Sequence, residues 1–430
     1  MKSFFNDVFS IGVSKTLMMV FGFTTTIIIA RVLGPEKNGI IAALLVYPSL
    51  FMSFGSLGIR QSTTYFLGKG IFSEDEIKRA ITQIWLFTTV FSIAVCFVLM
   101  RYFSKSGENL WLVLLALMPI PFTLFNTYNS GIFLGKNEIS SFNKINWIPT
   151  ALIFVVTLVL VLWLSFGISG YLIAMISGPT FISLVLFFKN KFIKAFGFDF
   201  NWVIIKRMLS LGLVYAFALL VINLNYRMDV ILLDKLSTAF ETGIYSKGVS
   251  ITEYLWQIPM LLSTVVFARS AVSKDDIGFS IKVTQLLRLS FLVIGLGALV
   301  LFLLSEQIII LMFGDAFINS VLVLNILLPG VLLLTIFKVI NMDLSGKGKP
   351  WVSLKAMFPA LLINVVLNFV LIPKQGASGA ALASTVSYTL AAILFVHFYS
   401  KEVNLPVKEI LRYKASDFQP IVQLLKKLKR

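Results

Sequence analysis

The sequence has little charge and almost no metal-binding or redox-active side chains. Only 13% of its 430 residues are Asp, Glu, Lys or Arg, and it contains one cysteine, Cys96, and one histidine, His397. One cysteine excludes a disulfide framework, a cysteine-based zinc site and a CxxC redox centre. One histidine excludes an HExxH motif, and no GxxxxGK[ST] phosphate-binding loop occurs. We therefore expect no catalytic residue, no metal ligand, no cofactor and no nucleic-acid partner.

Apolar residues dominate what is present. They make up 58% of the chain, 40 residues are phenylalanine, and the mean hydropathy is +0.90. Soluble globular proteins carry about a quarter charged residues. The first apolar stretch, Ile11–Ala30, has the length that a bilayer core requires and lacks a small-residue cleavage site. The composition thus predicts an all-α, polytopic membrane protein whose first helix is retained.

Twelve apolar segments, separated by turn residues and polar loops, predict twelve transmembrane helices. They are Ile11–Arg31, Gly39–Gln61, Ala80–Tyr102, Leu110–Leu134, Ile145–Phe166, Ile168–Phe188, Met208–Leu233, Gly248–Ala268, Thr284–Ser305, Ser320–Leu344, Val352–Pro373 and Ala377–Tyr399.

The basic residues predict the orientation. With a cytoplasmic N-terminus, the inward segments hold 27 of the 37 Lys and Arg residues and the outward loops hold 7. This asymmetry is the positive-inside signature. It places both termini in the cytoplasm.

Short motifs recur at a shift of about 210 residues. Gly135-Lys136 recurs as Gly346-Lys347, and the Gly-x-Ser-Gly at 167–170 recurs at 376–379. We expect two six-helix lobes, residues 1–195 and 196–400, related by a parallel pseudo-two-fold repeat. Residues 401–430 form a basic cytoplasmic tail, interpreted either as an amphipathic segment on anionic lipid or as a disordered topology signal.

Ionisable side chains within a span are costly and usually face a protein interior or a water-filled cavity. The seventh span contains Asn223, Asn225, Arg227 and Asp229. Arg227 and Asp229 are separated by about 200° around a helix, so they cannot easily neutralise each other. At least one of them should meet a neighbouring helix, an ion or a substrate. The alternative is that Arg227 extends to the headgroups.

Further charged residues in or beside the spans allow two interpretations. Lys15 and Lys338 either line a cavity or extend to the headgroups, whereas Glu253 is a candidate ion-coupling group. Arg60 and Arg269 either bind an anion or anchor the cytoplasmic helix ends. The basic excess within the spans (Lys15, Arg227, Lys338) would favour an anion such as phosphate or diphosphate.

Three stretches resemble the polysaccharide flippases of the multidrug/oligosaccharidyl-lipid/polysaccharide (MOP, MATE-like) superfamily, most closely the Wzx-type O-antigen flippases. The stretches are Ile29-Ala-Arg31 through Gly39, Arg227-Met-Asp229 with Glu241-Thr-Gly243, and Asn364 to Asn368 with Gly376-Ala-Ser-Gly379.

The resemblance implies a bacterial inner-membrane flippase with its two lobes around a central cavity. It would move an undecaprenyl-diphosphate-linked oligosaccharide from the cytoplasmic to the periplasmic leaflet by alternating access, coupled to H⁺ or Na⁺. The implied diphosphate-binding residues are Lys15, Arg31, Arg60, Arg227, Arg269 and Lys338. Those for ion coupling or gating are Asp229, Glu253, Asn223 and Asn225. Further partners would be membrane lipid, a polysaccharide polymerase and a chain-length regulator.

Two alternatives remain at this point. A cation-coupled multidrug exporter of the same superfamily would favour acidic residues for cationic substrates. A membrane polysaccharide polymerase would need a large periplasmic loop. Lys274-Asp275-Asp276 resembles a paired-carboxylate site, but it lies in a cytoplasmic loop among basic residues, which favours a solvated turn.

Overall fold

The computed structural model describes residues 2–136, 138, 145–195, 200–271, 273 and 275–418. These residues form α-helices, short 3₁₀ turns and one π-helical segment, and no strand occurs among them. Eight of the described helices are long and apolar enough to cross a membrane. The sequence-based prediction of an all-α membrane protein is therefore confirmed, whereas the count of twelve spans stays a prediction. The basic segment from Ile421 to Arg430 lies outside the described residues.

The surface of the helices is unusually apolar. Phe87 and Leu311 are 69% and 77% exposed, whereas Asn129, Asn225 and Asp229 are fully buried. In water this arrangement would leave large apolar areas solvated, but in a bilayer the apolar side chains face hydrocarbon. Backbone polar groups inside helices are satisfied within the segment, which is why helices can present such surfaces to lipid.

The chain divides into two compact units. The first comprises Met1–Asn223, Ser237–Gly243 and Met312–Ala316, and the second comprises Leu224–Leu236, Ile244–Leu311 and Phe317–Arg430. The predicted lobe boundary between residues 195 and 196, with its six-helix repeat, stays a prediction.

Seven helices lie entirely in the first unit, and an eighth, α8 (Trp202–Leu236), leaves it at Asn223. The seven are α1 (Lys2–Phe54), α2 (Ile59–Gly68), α3 (Glu74–Phe103), α4 (Leu110–Leu117), α5 (Pro119–Gly135), α6 (Ile148–Thr157) and α7 (Gly167–Lys189).

A buried apolar core joins α2, α3 and α5. It contains Ile59, Ile77 and Tyr128, and the Tyr128 hydroxyl lies 2.9 Å from Thr88 Oγ1 and donates to the carbonyl of Gly55 at 3.0 Å. The α3 helix begins with a capping box in which Ser73 Oγ accepts from the Glu76 N–H and the Glu76 carboxylate accepts from the Ser73 N–H. This motif satisfies two N–H groups that a helix start otherwise leaves unpaired.

The first predicted span and most of the second lie in α1, which is interrupted by a kink at Gly34. At Gly34, φ is 71° and ψ is 176°, a combination that only glycine adopts readily. The break lies between the first two predicted spans, Ile11–Arg31 and Gly39–Gln61. Beyond it, Gly39 and Gly243 allow two backbones to touch, since a Cβ on Gly243 would lie 1.9 Å from the Pro35 carbonyl oxygen.

The second unit contains most of α9 (Ala239–Leu255) and α12 (Ser305–Phe313), the last part of α8, and five complete helices. The five are α10 (Gln257–Ala271), α11 (Asp276–Leu303), α13 (Ser320–Gly346), α14 (Val352–Val403) and α15 (Val407–Leu411).

Two features of this unit depart from the simple span pattern. The α14 helix merges two predicted spans and is interrupted at Gly376, where φ is 54° and ψ is −129°. The predicted span Gly248–Ala268 is instead divided between α9 and α10 at Trp256. Trp256 donates its indole N–H to the Val331 carbonyl at 3.1 Å, so a tertiary contact lies at the break.

A buried ion pair attaches the segment after α14 to α11. Arg288 Nε and Nη2 donate to the two carboxylate oxygens of Asp417, each at 2.7 Å, and Nη1 donates to the carbonyls of Glu409 and Ile410. The Arg288 and Asp417 side chains are 5% and 1% exposed. Hydrogen bonds from Arg288 lower the pKa of Asp417 below its usual value.

We predict that Gly243→Ala destabilises the protein. Its Cβ would meet backbone atoms that cannot move aside, and overpacking of this kind costs about 1–3 kcal/mol. Gly295→Ala is the matched control, because a Cβ there meets only Leu332 Cδ1 at 3.9 Å. Thermal unfolding in detergent should show a lower midpoint for the first variant only. Equal midpoints would contradict the close backbone contact.

We also predict that the stability contributed by Asp417 depends on pH. Because its folded pKa is depressed below the unfolded value of about 3.9, the contribution is present above about pH 4 and is lost as pH falls through the folded pKa. Asp417→Asn should lower the unfolding midpoint at pH 7, at a cost of about 3 kcal/mol. The difference from wild type should shrink as the pH approaches 3. A difference that is constant from pH 7 to pH 3 would contradict this.

Candidate functional site

The buried carboxylate of Asp229 on α8 is the centre of a polar cluster in the second unit. One oxygen accepts from Asn364 Nδ2 at 2.9 Å and from Asn368 Nδ2 at 2.7 Å. The other accepts from the Tyr245 hydroxyl at 2.7 Å and from the hydroxyl of Ser384. Asp229 is fully buried. The donors come from α9 and from both limbs of α14, so one side chain links three helices.

Asp229 differs from the other strongly bonded carboxylates of this unit. Asp343 accepts from Ser270, Ser280 and Tyr399, but it also has Lys347 Nζ at 3.2 Å. Asp417 has Arg288. Within the described residues, every hydrogen-bond donor to Asp229 is neutral. A buried charge without a paired cation is costly, and at this site four neutral donors compensate it.

Two amides, Asn368 and one further side chain, Asn225, complete the Asp229 cluster. Asn368 Oδ1 is buried and accepts no hydrogen bond from the described residues, which leaves an oxygen beside the carboxylate. Asn225, one turn before Asp229, donates to Ser387 Oγ at 3.1 Å. Carboxylate, amide and hydroxyl oxygens are the ligands that hard cations prefer.

Arg227 meets a different partner. Its Nη1 lies 3.3 Å from Glu253 Oε1 on α9, and the two side chains are 39% and 31% exposed. As the rotation of 200° around α8 predicts, Arg227 and Asp229 thus have separate surroundings. Among the described residues, this single contact is the only hydrogen bond or ion pair of the guanidinium. Four of its five N–H donors remain available.

Lys338 on α13 lies beside this ion pair, within electrostatic range of Arg227 and Glu253. Its ammonium nitrogen is 4.3 Å from the ring centroid of Tyr226 and 4.0 Å from that of Trp256. Both distances are within cation–π range. The aromatic contacts hold a cation inside an apolar region, so the ion pair has a fixed positive neighbour.

Arg288 shows what a structural arginine looks like in this protein. It is 4% exposed, and its guanidinium nitrogens bind the Asp417 carboxylate and two carbonyls. Arg227 is far more exposed and makes one contact. Within the described part of the chain, Arg227 therefore keeps N–H donors that Arg288 does not.

The remaining predicted site residues make none of the contacts described above. Lys15, Arg31, Arg60 and Arg269 are exposed, the first three in the first unit and Arg269 at the end of α10. Arg31 Nε donates to the Met312 carbonyl at 3.0 Å. Asn223 donates to Ser53 Oγ at 3.0 Å within the first unit. Their functional roles stay predictions.

Sequence reasoning assigned no role to several residues that complete these clusters. Asn364 and Asn368 are four apart in an apolar helix, a spacing that places both amides on one face and could have indicated the site. Asp343 was overlooked although it lies within a predicted span. The local sequence gives no signal of the contacts made by Tyr245, Ser384, Tyr226 and Trp256.

Asp275 of the Lys274-Asp275-Asp276 motif caps α11, because its carboxylate accepts from the Gly278 N–H at 2.9 Å.

Comparison of the sequence with known protein families assigns the chain to one of them. The model of the family described as "Polysaccharide biosynthesis protein" matches residues 4–271. The chain belongs to this polysaccharide biosynthesis family. The matched region covers the first unit up to Asn223 and includes Arg227, Asp229 and Glu253.

Individual relatives agree with this assignment. The chain is 24% identical over 392 residues to the "Putative O-antigen transporter" of Shigella flexneri, covering 87% of this chain and 92% of the relative. Among solved structures, the lipid II flippase MurJ in an inward closed conformation matches with a TM-score of 0.74 and 16% identity, over 96% of this chain and 95% of MurJ.

An inward-facing multidrug-resistance MATE transporter of the MOP superfamily matches with the same TM-score. Its TM-score is 0.74 at 14% identity, over 90% of this chain and 94% of that chain. At these identities the structural matches establish the fold. The chain is a membrane protein with the MurJ and MATE fold.

Proposed function

We propose that this protein is a flippase for lipid-linked oligosaccharides. It moves undecaprenyl-diphosphate-linked repeat units of an O-antigen, capsule or exopolysaccharide from the cytoplasmic to the periplasmic leaflet. Twelve helices in two lobes would alternate access to a central cavity in the bacterial inner membrane, with both termini in the cytoplasm. The family assignment and the O-antigen relative support this cargo.

The observation that carries the proposal is the pair of neighbouring cations Arg227 and Lys338, of which Arg227 is partly exposed. A lipid-linked oligosaccharide crosses the bilayer with a diphosphate group, which needs strong donors in a region of low dielectric constant. Arg227 offers free N–H groups, and Lys338 adds a positive charge held by two aromatic rings. Lys15, Arg31, Arg60 and Arg269 would guide the diphosphate along its path.

Asp229 would couple transport to an ion gradient. It is a buried carboxylate with only neutral donors among the described residues, and it lies one turn from Asn225. Binding of H⁺ or Na⁺ would neutralise it and change the energy of the contacts between α8, α9 and α14. A ligand shifts a conformational equilibrium only through such differential interaction.

A multidrug exporter is the competing function, because the MATE transporter shares the fold. Its cationic substrates would be repelled by Arg227 and Lys338, whereas an anionic diphosphate would be attracted. A strain lacking the gene separates the two functions. Accumulation of the lipid-linked unit on the cytoplasmic face supports the flippase, whereas normal delivery with increased drug sensitivity would support the exporter.

We predict that Arg227→Ala lowers glycan export at least about tenfold, equivalent to about 1.4 kcal/mol, because the main diphosphate donor is lost. Export in a complemented deletion strain is the measurement, normalised to protein abundance in the membrane. Arg412→Ala is the matched control, since Arg412 is exposed after α15. Wild-type export by the Arg227 variant would remove this residue from the mechanism.

We predict that Asp229→Asn abolishes the response of stability to the coupling ion. An ion that binds only the folded protein raises the unfolding midpoint by mass action. Purified wild-type protein should respond to Na⁺, relative to a bulky organic cation, or to pH if H⁺ is coupled. Asp343→Asn is the control, because Asp343 is paired with Lys347. A full ion response in the Asp229 variant would contradict this site.

A further inference from the structure

Glu253 occupies the position where the proposed substrate anion should bind. Its carboxylate is the partner of the accessible guanidinium of Arg227, through one contact of 3.3 Å. About a third of each side chain is exposed, so both groups can be reached from outside the pair. The contact is far less enclosed than the bidentate, buried pair of Arg288 and Asp417. Fewer contacts hold Glu253 on Arg227 than hold Asp417 on Arg288, so a diphosphate, which offers more acceptor oxygens, can compete for the Arg227 N–H groups.

The charges of the cluster balance only when the diphosphate replaces Glu253. Arg227, Lys338 and Glu253 together carry a net charge of +1. A diphosphate esterified at both ends carries two negative charges. Arg227 and Lys338 alone would neutralise it, whereas all three groups together would leave an excess negative charge in a region of low dielectric constant.

We infer that Glu253 is a resident counter-anion that neutralises Arg227 in the empty transporter and is displaced from it by the diphosphate of the arriving lipid. This inference rests on the proposed function. Without such a role, the Glu253 carboxylate would only weaken the binding of an anion to Arg227. When the lipid leaves, Glu253 returns to Arg227, so the unloaded guanidinium is never left unpaired.

The competition also favours release. A site of two unopposed cations would bind a diphosphate strongly on either side of the membrane and would slow its departure. A carboxylate that competes for the same N–H groups lowers the affinity, and affinity differences of this kind are expressed mainly in the dissociation rate. Glu253 thus limits the lifetime of the loaded state.

The test measures binding of a geranylgeranyl diphosphate sugar, whose diphosphate is esterified at both ends, to the purified full-length protein in detergent at fixed ionic strength. Glu253→Gln should bind this probe about three- to tenfold more tightly than wild type, because the competing charge is gone while the size is kept. Glu253→Ala also removes the competing charge and should likewise bind the probe more tightly. Glu402→Gln is the matched control, since it removes a carboxylate from the exposed pair with Lys349 and should leave binding unchanged.

Two further variants separate this inference from the proposed function. Arg227→Ala should weaken binding, and adding Glu253→Gln to it should give no gain, since the competition acts through Arg227. Glycan export by Glu253→Gln should fall although binding tightens, which a purely structural role would not produce. If both Glu253 variants bind the probe as wild type does or more weakly, and Arg227 is still required, Glu253 is not a counter-anion. The proposed flippase function would not be contradicted by that result. Wild-type binding by Arg227→Ala would overturn the diphosphate site itself.

Discussion

Burial of the Asp229 carboxylate is the constraint on which the second unit depends. A charge removed from water must be compensated, and the described residues compensate it with two amides and two hydroxyls from α9 and both limbs of α14. Because these donors must converge on one side chain, α8, α9 and α14 are held in a fixed arrangement. The compensation is incomplete in charge, however, since all four donors are neutral. In the proposed mechanism, a proton or a cation would act on the unit through these same contacts.

The proposed ion site and the Arg227 cluster share one short segment of α14. Ser384 binds Asp229, Ser387 binds Asn225, and Tyr388 packs against Tyr226 and Trp256, the two rings that hold Lys338. Tyr388 is also within electrostatic range of both Asp229 and Glu253. Movement of this segment would thus alter both clusters together. That is the physical requirement for coupling an ion to an anionic cargo.

Particular residues show how far prediction from sequence could go. The opposite orientation of Arg227 and Asp229 follows from helical geometry alone, and so does the expectation that they need separate partners. The identity of the partners does not follow, since Glu253 lies 26 positions after Arg227 and Asn364 lies 135 positions after Asp229. The division of one predicted span at Trp256 has a local signal, since Glu253, Gln257 and Pro259 interrupt the apolar sequence there. The contact to Val331 that lies at the break does not follow from the sequence.

The sequence by itself determined the class of the protein, because composition and apolar segment length are set by the bilayer and do not depend on which helices meet. It also placed some of the costly charges, such as Arg227, Asp229 and Glu253, although Asp343 and Arg288, which lie within predicted spans too, were not singled out. Only the tertiary structure decided which of these charged side chains are fully hydrogen-bonded to the protein and which keep N–H donors without a partner among the described residues. Arg288 is enclosed with Asp417, whereas Arg227 keeps most of its donors. Side chains distant along the chain determine that difference, and the local pattern carries no record of them.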